Sequence, residues 1–367
     1  MTKVSIIKCD TYEREKVHDA VKRAVDSLGG MAEFVKPGMK VLIKPNLLSA
    51  RPPEDAVDTH PEIVRAVVRL VKEAGGRIIL GDSPGGYGKN INEVYEISGI
   101  KKVAHEEGVD LVKFTSAKFV DTMPISRYVF DCDRFISVPK FKTHCITMIT
   151  AAIKNTYGTV IGLHKAACHS KAPGEAEFAK VIAKVFSIAK PNLTILDGIV
   201  AMEGDGPSSG DPRKTNLIMA GADAVAIDAV LADIIGLNPL DILVTKEAYA
   251  MGLGEANTAN IELVGDDIKT VKVTGFKLPQ TMPMRLLPNV VAKGIAPLVR
   301  FKPYIDSAIC TRCNLCKITC PVNCITIEKD RCKIDYKVCV RCLCCHEVCP
   351  YKAIGIRRNI LTRLVWG

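Results

Sequence analysis

Lys40-Val-Leu-Ile-Lys44-Pro-Asn46, then Thr59-His-Pro-Glu62, then Gly75-Gly-Arg-Ile-Ile-Leu80 spell one strand, one helix and a second strand. The first piece is a short apolar run of the kind a buried parallel strand shows, and Pro45-Asn46 stops it. Thr59 and Glu62 have the spacing of a capping box, with Pro61 inside the first turn, which opens a helix running to about Ala74. Gly75-Gly76 ends that helix and Arg77–Leu80 follows as the next strand. Two strands joined through a helix run parallel.

The same alternation continues outward. Strands are expected at Val4–Lys8, Leu111–Phe114, Arg134–Val138, Leu193–Leu196, Asn216–Ala220 and Ile261–Val264. Helices are expected at Glu15–Leu28, Gly174–Ala189, Ala224–Ile235 and Asp241–Met251. Residues 1–270 therefore read as an α/β domain, a mainly parallel sheet with helices on both faces, whose site lies in loops at strand carboxyl ends. Residues 271–303 carry Pro279, Pro283, Pro288, Pro297 and Pro303 and read as a linker, in which Leu286, Leu287, Val290 and Val291 suit burial against either neighbour.

Beyond it stand two cysteine runs. They are Cys310-x2-Cys313-x2-Cys316-x3-Cys320-Pro321 and Cys339-x2-Cys342-x2-Cys345-x3-Cys349-Pro350. This is the bacterial ferredoxin spacing, in which three close thiolates hold one cubane and the fourth crosses to the other. Cys310, Cys313, Cys316 and Cys349 are thus expected on one [4Fe–4S] cluster, and Cys339, Cys342, Cys345 and Cys320 on a second. Zinc knuckles or a disulfide framework would have no use for the Pro that closes each run. Residues 304–356 form this small α+β two-cluster domain, and Val322–Ile327 and Tyr351–Ile356 are the strands that shield the clusters. Cys324, Cys332 and Cys344 are surplus, and a buried structural thiol suits each. Residues 357–367 make a basic, apolar tail, suited to a helix packed on the protein or to a membrane or partner contact.

The chain has 367 residues and is 48% hydrophobic, enough for two or three domains. Met1-Thr-Lys-Val-Ser-Ile-Ile-Lys8 reads as a strand and not as a secretory leader, and no apolar run is long enough for a transmembrane segment. Fifteen cysteines suit a reducing cytoplasm, and cubanes with spare thiols suit an anaerobe. Net charge is +10, and from Tyr304 onward eleven Lys/Arg face five Asp/Glu. Loaded clusters offset much of that local charge. With no recognised motif or aromatic-interleaved basic stripe, no nucleic acid is expected as a partner. An acidic redox partner protein is.

Polar chemistry gathers at the predicted strand ends. Gly81-Asp-Ser-Pro-Gly-Gly-Tyr-Gly88 is a glycine-rich turn able to offer amides to an anion, or an ordinary turn. His144, Lys154, His164, Lys165 and His169 fall within one short stretch, with Lys142 just before it. Buried, such residues bind a small anionic substrate or cofactor and exchange protons; exposed, they are solvated charges. Asp197, Glu203 and Asp205 belong to an acidic loop that suits a metal or a plain hairpin.

Taken together, Lys44-Pro-Asn46-Leu47, Thr59-His-Pro-Glu62, Gly81-Asp-Ser-Pro84, Pro139-Lys-x-Lys-Thr-His144, Lys154-Asn155, Gly204-Asp-Gly-Pro207 and Asn216–Ala229 resemble the family called domain of unknown function 362. The resemblance covers about residues 1–265, and implies the α/β fold and, at the C-terminus, an appended two-cluster ferredoxin. It implies no single reaction. A fainter similarity joins His144, Lys154 and His169 (or His164) to the order His, Lys, His in nickel-pincer lactate racemases. That similarity implies an additional metal or organometallic cofactor and makes His144, Lys154 and His169 candidate catalytic residues. The chain has Thr-Ala-Ala-Ile before Lys154 where those racemases carry glycines, and both side chains face one ligand only if a helix starts after His144.

Two functions follow. One is a ferredoxin-linked oxidoreductase that passes electrons through two clusters to or from a ligand of the α/β domain. The other is a non-enzymatic carrier or metallo-cofactor maturation factor acting on a partner protein.

Overall fold

The computed structural model describes residues 1–84, 91–172, 174–281, 301–329 and 331–357. The α/β part opens with β1 (Thr2–Lys8), α1 (Arg14–Asp26), β2 (Lys40–Pro45), α2 (Pro61–Glu73) and β3 (Arg77–Asp82). Then come α3 (Ile91–Ile97), α4 (Ile100–Glu106), β4 (Asp110–Lys113) and a hairpin of β5 (Ala117–Val120) and β6 (Met123–Ser126). β7 (Arg134–Val138), β8 (Lys140–His144) and β9 (Met148–Thr150) precede α5 (Ala152–Asn155), α6 (His164–Lys171) and α7 (Glu175–Ile188). β10 (Leu193–Glu203), β11 (Asp211–Gly221), α8 (Ala224–Ile234), α9 (Leu243–Ala250) and β12 (Ile261–Gly265) close it.

One ten-stranded sheet runs β12-β1-β11-β10-β7-β2-β3-β4, with β8 and β9 attached beside β10. Its pairings are mainly parallel; β11 against β1 and β10, and β9 against β8, are the antiparallel ones. Alternate residues of a strand serve opposite faces. Ile6, Leu42, Phe135 and Leu196 belong to a core built with α7, α8 and α9. Their neighbours Ile7, Ile43, Ile136 and Ile195 belong to a second core built with α1, α2 and α4. Helices therefore cover both faces, as the buried-strand pattern of Lys40–Lys44 required.

The chain proceeds β2, β3, β4 in one direction and returns to β7 on the other side of β2. Loops from neighbouring strands part at such a switch point, and a crevice opens beyond the strands' carboxyl ends. Thr59 closes the base of that crevice. Its hydroxyl accepts from the Asn46 amide at 2.8 Å and donates to the Val138 carbonyl at 2.7 Å, tying β2 to β7. This corrects the expected capping box: His60 caps α2, its Nδ1 accepting from the Glu62 amide at 3.2 Å.

One further expectation changes, and two others take a definite form. β10 and β11 are eleven residues each, far longer than Leu193–Leu196 and Asn216–Ala220, because a bulge after Gly198 lets the hairpin continue with a shifted register. The acidic loop is the end of this hairpin, and Glu203 and Asp205 accept from the amides of Lys277 and Gln280. Residues 271–281 pack on the α/β body, with the Phe276 ring stacked on Phe141 at 5.0 Å and the Thr281 hydroxyl donating to the Cys145 carbonyl. Leu286, Leu287, Val290, Val291, the tail beyond Arg357 and Gly85–Gly88 lie outside the described residues.

The cysteine-rich part comprises β13 (Lys302–Ile305), α10 (Leu315–Thr319), β14 (Ile325–Ile327), β15 (Cys332–Ile334), α11 (Cys344–Glu347) and β16 (Ile354–Arg357). β13 pairs with β16 and β14 with β15. Its halves repeat at an offset of 29 residues. Arg312, Asn314 and Asn323 adopt left-handed φ of 59°, 69° and 51°, and Arg341, Leu343 and Lys352 repeat them at 57°, 56° and 54°. Six non-glycine residues held in that costly region in two matching sets indicate loops shaped around something.

Candidate functional site: two cysteine cavities and a pocket between the domains

None of the fifteen cysteines forms a disulfide. Cys310, Cys313, Cys316 and Cys349 line one cavity of about 350 Å³, with Ile305, Leu315 and Ile354 among the other walls. Cys320, Cys339, Cys342 and Cys345 line a second of about 310 Å³, with Ile325, Ile334 and Val340. Cys324 stands in that second wall, its sulfur 3.5 Å from that of Cys320. Among the described residues, no three His, Cys, Asp or Glu side chains close on a single ion. Thiols spread around an apolar cavity suit a polynuclear iron–sulfur group better than one zinc, which draws four sulfurs to about 2.3 Å.

A larger space of about 780 Å³ lies at the switch-point crevice. The α/β part lines it with Asn46, Leu47 and Leu48 after β2, Asp82 and Ser83 at β3, Lys142 and Thr150 from β8 and β9, Lys154 and Asn155 from α5, and Lys165 and His169 from α6. The cysteine-rich part closes it with Thr319, Cys344, Glu347 and Val348. Cys344 is a wall of both this pocket and the second cysteine cavity.

Beneath the pocket the Lys44 ammonium and the Asp82 carboxylate meet at 2.7 Å, both fully buried. Lys44 also donates to the Pro45 carbonyl and to Asn155 Oδ1, and Asp82 accepts from the amides of Leu47 and Ser83. Gly158 covers the pair so closely that a Cβ there would strike the Lys44 ammonium and the Asp82 carboxylate. Lys140 is tied equally deep to Asp197 at 2.8 Å, where Tyr12 donates to the same carboxylate. These residues are structural, and Asp197 is unavailable to a metal.

Lys142 is buried, donating to the Val57 carbonyl at 2.6 Å; burial lowers its ammonium pKa and raises that of the Asp58 carboxyl, and each opposes the other's shift. Burial lowers Lys165 to about 8, and its ammonium donates to the carbonyls of Ser83 and Pro84. Lys154, lowered by burial against the pull of Glu347, has the Tyr157 ring 5.9 Å away. Lys142 is therefore no solvated charge, and Lys154 and Lys165 are half-buried in the pocket wall.

His144 is fully buried behind Glu347 and is not a wall of the pocket. Its Nδ1 accepts from the Ile146 amide at 3.1 Å, so Nε2 carries the proton and lies 3.1 Å from Glu347 Oε1. The contact is off the line of a good hydrogen bond, since both atoms lack a hydrogen-bond partner by geometry. Burial pushes Glu347 up, but His144, His169 and Lys154 together bring it below the usual carboxylate range. Burial and Lys154 hold His144 neutral, near 3. Glu347 is thus held ionised by its basic neighbours His144, His169 and Lys154 acting together.

His169 is buried against the rings of Phe178 and Tyr157, at 4.0 and 6.1 Å. His164 is exposed and outside the pocket. Of the five residues grouped by sequence, then, Lys154, Lys165 and His169 share the pocket wall. Helix α5 does start after His144, as facing one ligand required, yet His144 turns to Glu347.

Burial brings His169 to about 4, well under its unfolded value of 6.5. The unfolded chain therefore takes up the proton first, so the stability this ring contributes is whole above pH 6.5 and lost as pH falls toward 4. At pH 5 the loss is about 2 kcal/mol. Denaturant midpoints of the wild type and of His169→Phe, compared at pH 7 and pH 5, should converge by that amount; parallel pH profiles would contradict it.

The two parts meet through α11. The His346 ring lies 3.1 Å from the Asp205 carbonyl and 2.6 Å from that of Ile354, and the Ser208 hydroxyl donates to the His346 carbonyl. Arg51 donates to the Pro350 carbonyl, and Lys352 to that of Gly210.

The family model described as Domain of unknown function (DUF362) matches residues 41–233. A thylakoid-associated protein of Synechocystis sp. is 34% identical over 286 residues, covering 76% of this chain and 88% of that one. The lactate racemase apoprotein from Thermoanaerobacterium thermosaccharolyticum aligns at 14% identity and a TM-score of 0.38, over 60% of this chain and about half, 54%, of that one. So low a score carries no argument about a shared cofactor. Among the described residues no helix is long and apolar enough to cross a membrane.

Proposed function

The chain belongs to the DUF362 family, and we propose that it is an iron–sulfur oxidoreductase whose electrons reach, or leave, a small molecule in the pocket between its two parts. Cys310, Cys313, Cys316 and Cys349 would hold one [4Fe–4S] cluster, and Cys320, Cys339, Cys342 and Cys345 the other. The clusters would supply one-electron transfer. The observation that carries this reading is the shared wall: Cys344, beside Cys345, faces both the second cysteine cavity and the pocket.

The chain's own residues have separable tasks. Leu47, Leu48, Leu163 and Val348 keep water from the ligand, and Lys154 and Lys165 orient it. Glu347 and His169 are placed to hold or take a proton in the pocket. Ile309, Ile318, Tyr336, Val338 and Tyr351 are exposed on the cysteine-rich part, and we assign that surface to a redox partner protein. A reducing compartment such as the cytoplasm suits fifteen cysteines of which none forms a disulfide.

Protein purified without oxygen should contain about eight irons and about eight acid-labile sulfides per chain. A preparation holding zinc alone, after reconstitution with iron and sulfide, would sink the proposal.

A further inference from the structure

The charges around the pocket select what it can hold. Lys44 is paired with Asp82 at 2.7 Å, while Lys142 feels the charge of Asp58 and Lys154 that of Glu347 through space. Lys165 donates to the carbonyls of Ser83 and Pro84, and the Asp82 and Glu347 carboxylates act on it only through space. Two carbonyl dipoles do not neutralise an ammonium that is half-buried in a pocket wall, so a negative charge is wanted there.

An independent observation points the same way. Thr150 is 3% exposed and lines the pocket, yet its hydroxyl has no hydrogen-bond partner, and the side-chain oxygen of Asn46 is likewise buried without one. Buried polar atoms are normally satisfied, and unsatisfied ones in a pocket wall mark where a ligand's polar atoms go. Leu47, Leu163 and Ala166 give the same wall an apolar stretch beside these polar atoms.

We propose that the pocket binds a small organic monocarboxylate, its acid group on the Lys165 ammonium and a hydroxyl or carbonyl substituent at Thr150. This rests on the reading of the pocket as the small-molecule site, and not on the clusters. The test is calorimetric titration of the full chain, purified without oxygen, with 2-hydroxyisobutyrate, with its neutral amide and with inorganic phosphate, iron being counted in the same sample. The acid should saturate at one site per chain, and the amide and phosphate should bind at least tenfold more weakly. Lys165→Gln should weaken the acid at least tenfold and leave the amide unchanged, whereas Lys165→Arg should retain most of the acid's affinity. Failure of the acid to saturate, an amide or phosphate that binds as tightly, or an unaltered Lys165→Gln overturns the proposal. Binding of the acid by iron-free protein would instead spare the pocket and count against the clusters.

Discussion

Combining Cys313→Ser with Cys320→Ser should empty the protein of iron, although the two residues belong to one run of sequence. The proposed crosswise ligation would put Cys313 on the first cluster and Cys320 on the second, so each single change should cost one cluster and leave about four irons of about eight. The pair costs both. If each run held its own cluster, both changes would strike the same group and about four irons would survive. Cys324 complicates the single variant, because its sulfur sits 3.5 Å from that of Cys320 and is able to substitute for it. The decisive chain therefore carries Cys324→Ala as well. Cys344→Ala is the control: its thiol lines the second cavity but is outside the proposed ligand set, so iron and sulfide should stay near eight. Iron analysis and the electron paramagnetic resonance spectrum of reduced protein read all of these. About four irons in the combined variant would refute the crossing of the fourth ligands.

Local patterns were legible and long-range ones were not. The unit from Lys40 to Leu80 declared its strands and helix because apolar runs, Pro and paired Gly act over a few residues. The Lys140–His144 strand was hidden, since Lys-Phe-Lys-Thr-His looks solvated. Its lysines are buried only because Asp197 and the Val57 carbonyl, distant in sequence, receive them. Glu347 was missed for the same reason, lying some two hundred residues from the His144 it meets. A signal was nonetheless present. At the 29-residue offset, Leu315, Lys317 and Ile318 of the first half become Cys344, His346 and Glu347 of the second. A ferredoxin repeat has no internal need for that change. All three altered residues touch the pocket or the α/β part, whereas Ile318 is exposed. Departures from internal symmetry marked the docking face.

Asp82→Ala should cost about 3–5 kcal/mol, the usual penalty for leaving one charge of a buried pair without its partner. Lys44 is fully buried, and its other partners are neutral oxygens of Pro45 and Asn155. The carboxylate also anchors the Leu47 amide at 2.8 Å, so the loop after β2 loses its hold together with the charge. Against a typical total of about 5–15 kcal/mol, such a loss leaves the domain near its threshold. Replacing both partners, as Lys44→Met with Asp82→Leu, removes the stranded charge and should recover more than half of the loss. Gly158→Ala probes the pair from above, since the added methyl must separate it or move the turn. Denaturant midpoints of the iron-free protein measure all three. If Asp82→Ala costs less than about 1 kcal/mol, in the range of an exposed pair, the carboxylate and ammonium are solvated, and the pocket floor is not the dry one on which Lys154 and Lys165 depend for their strength toward an anion.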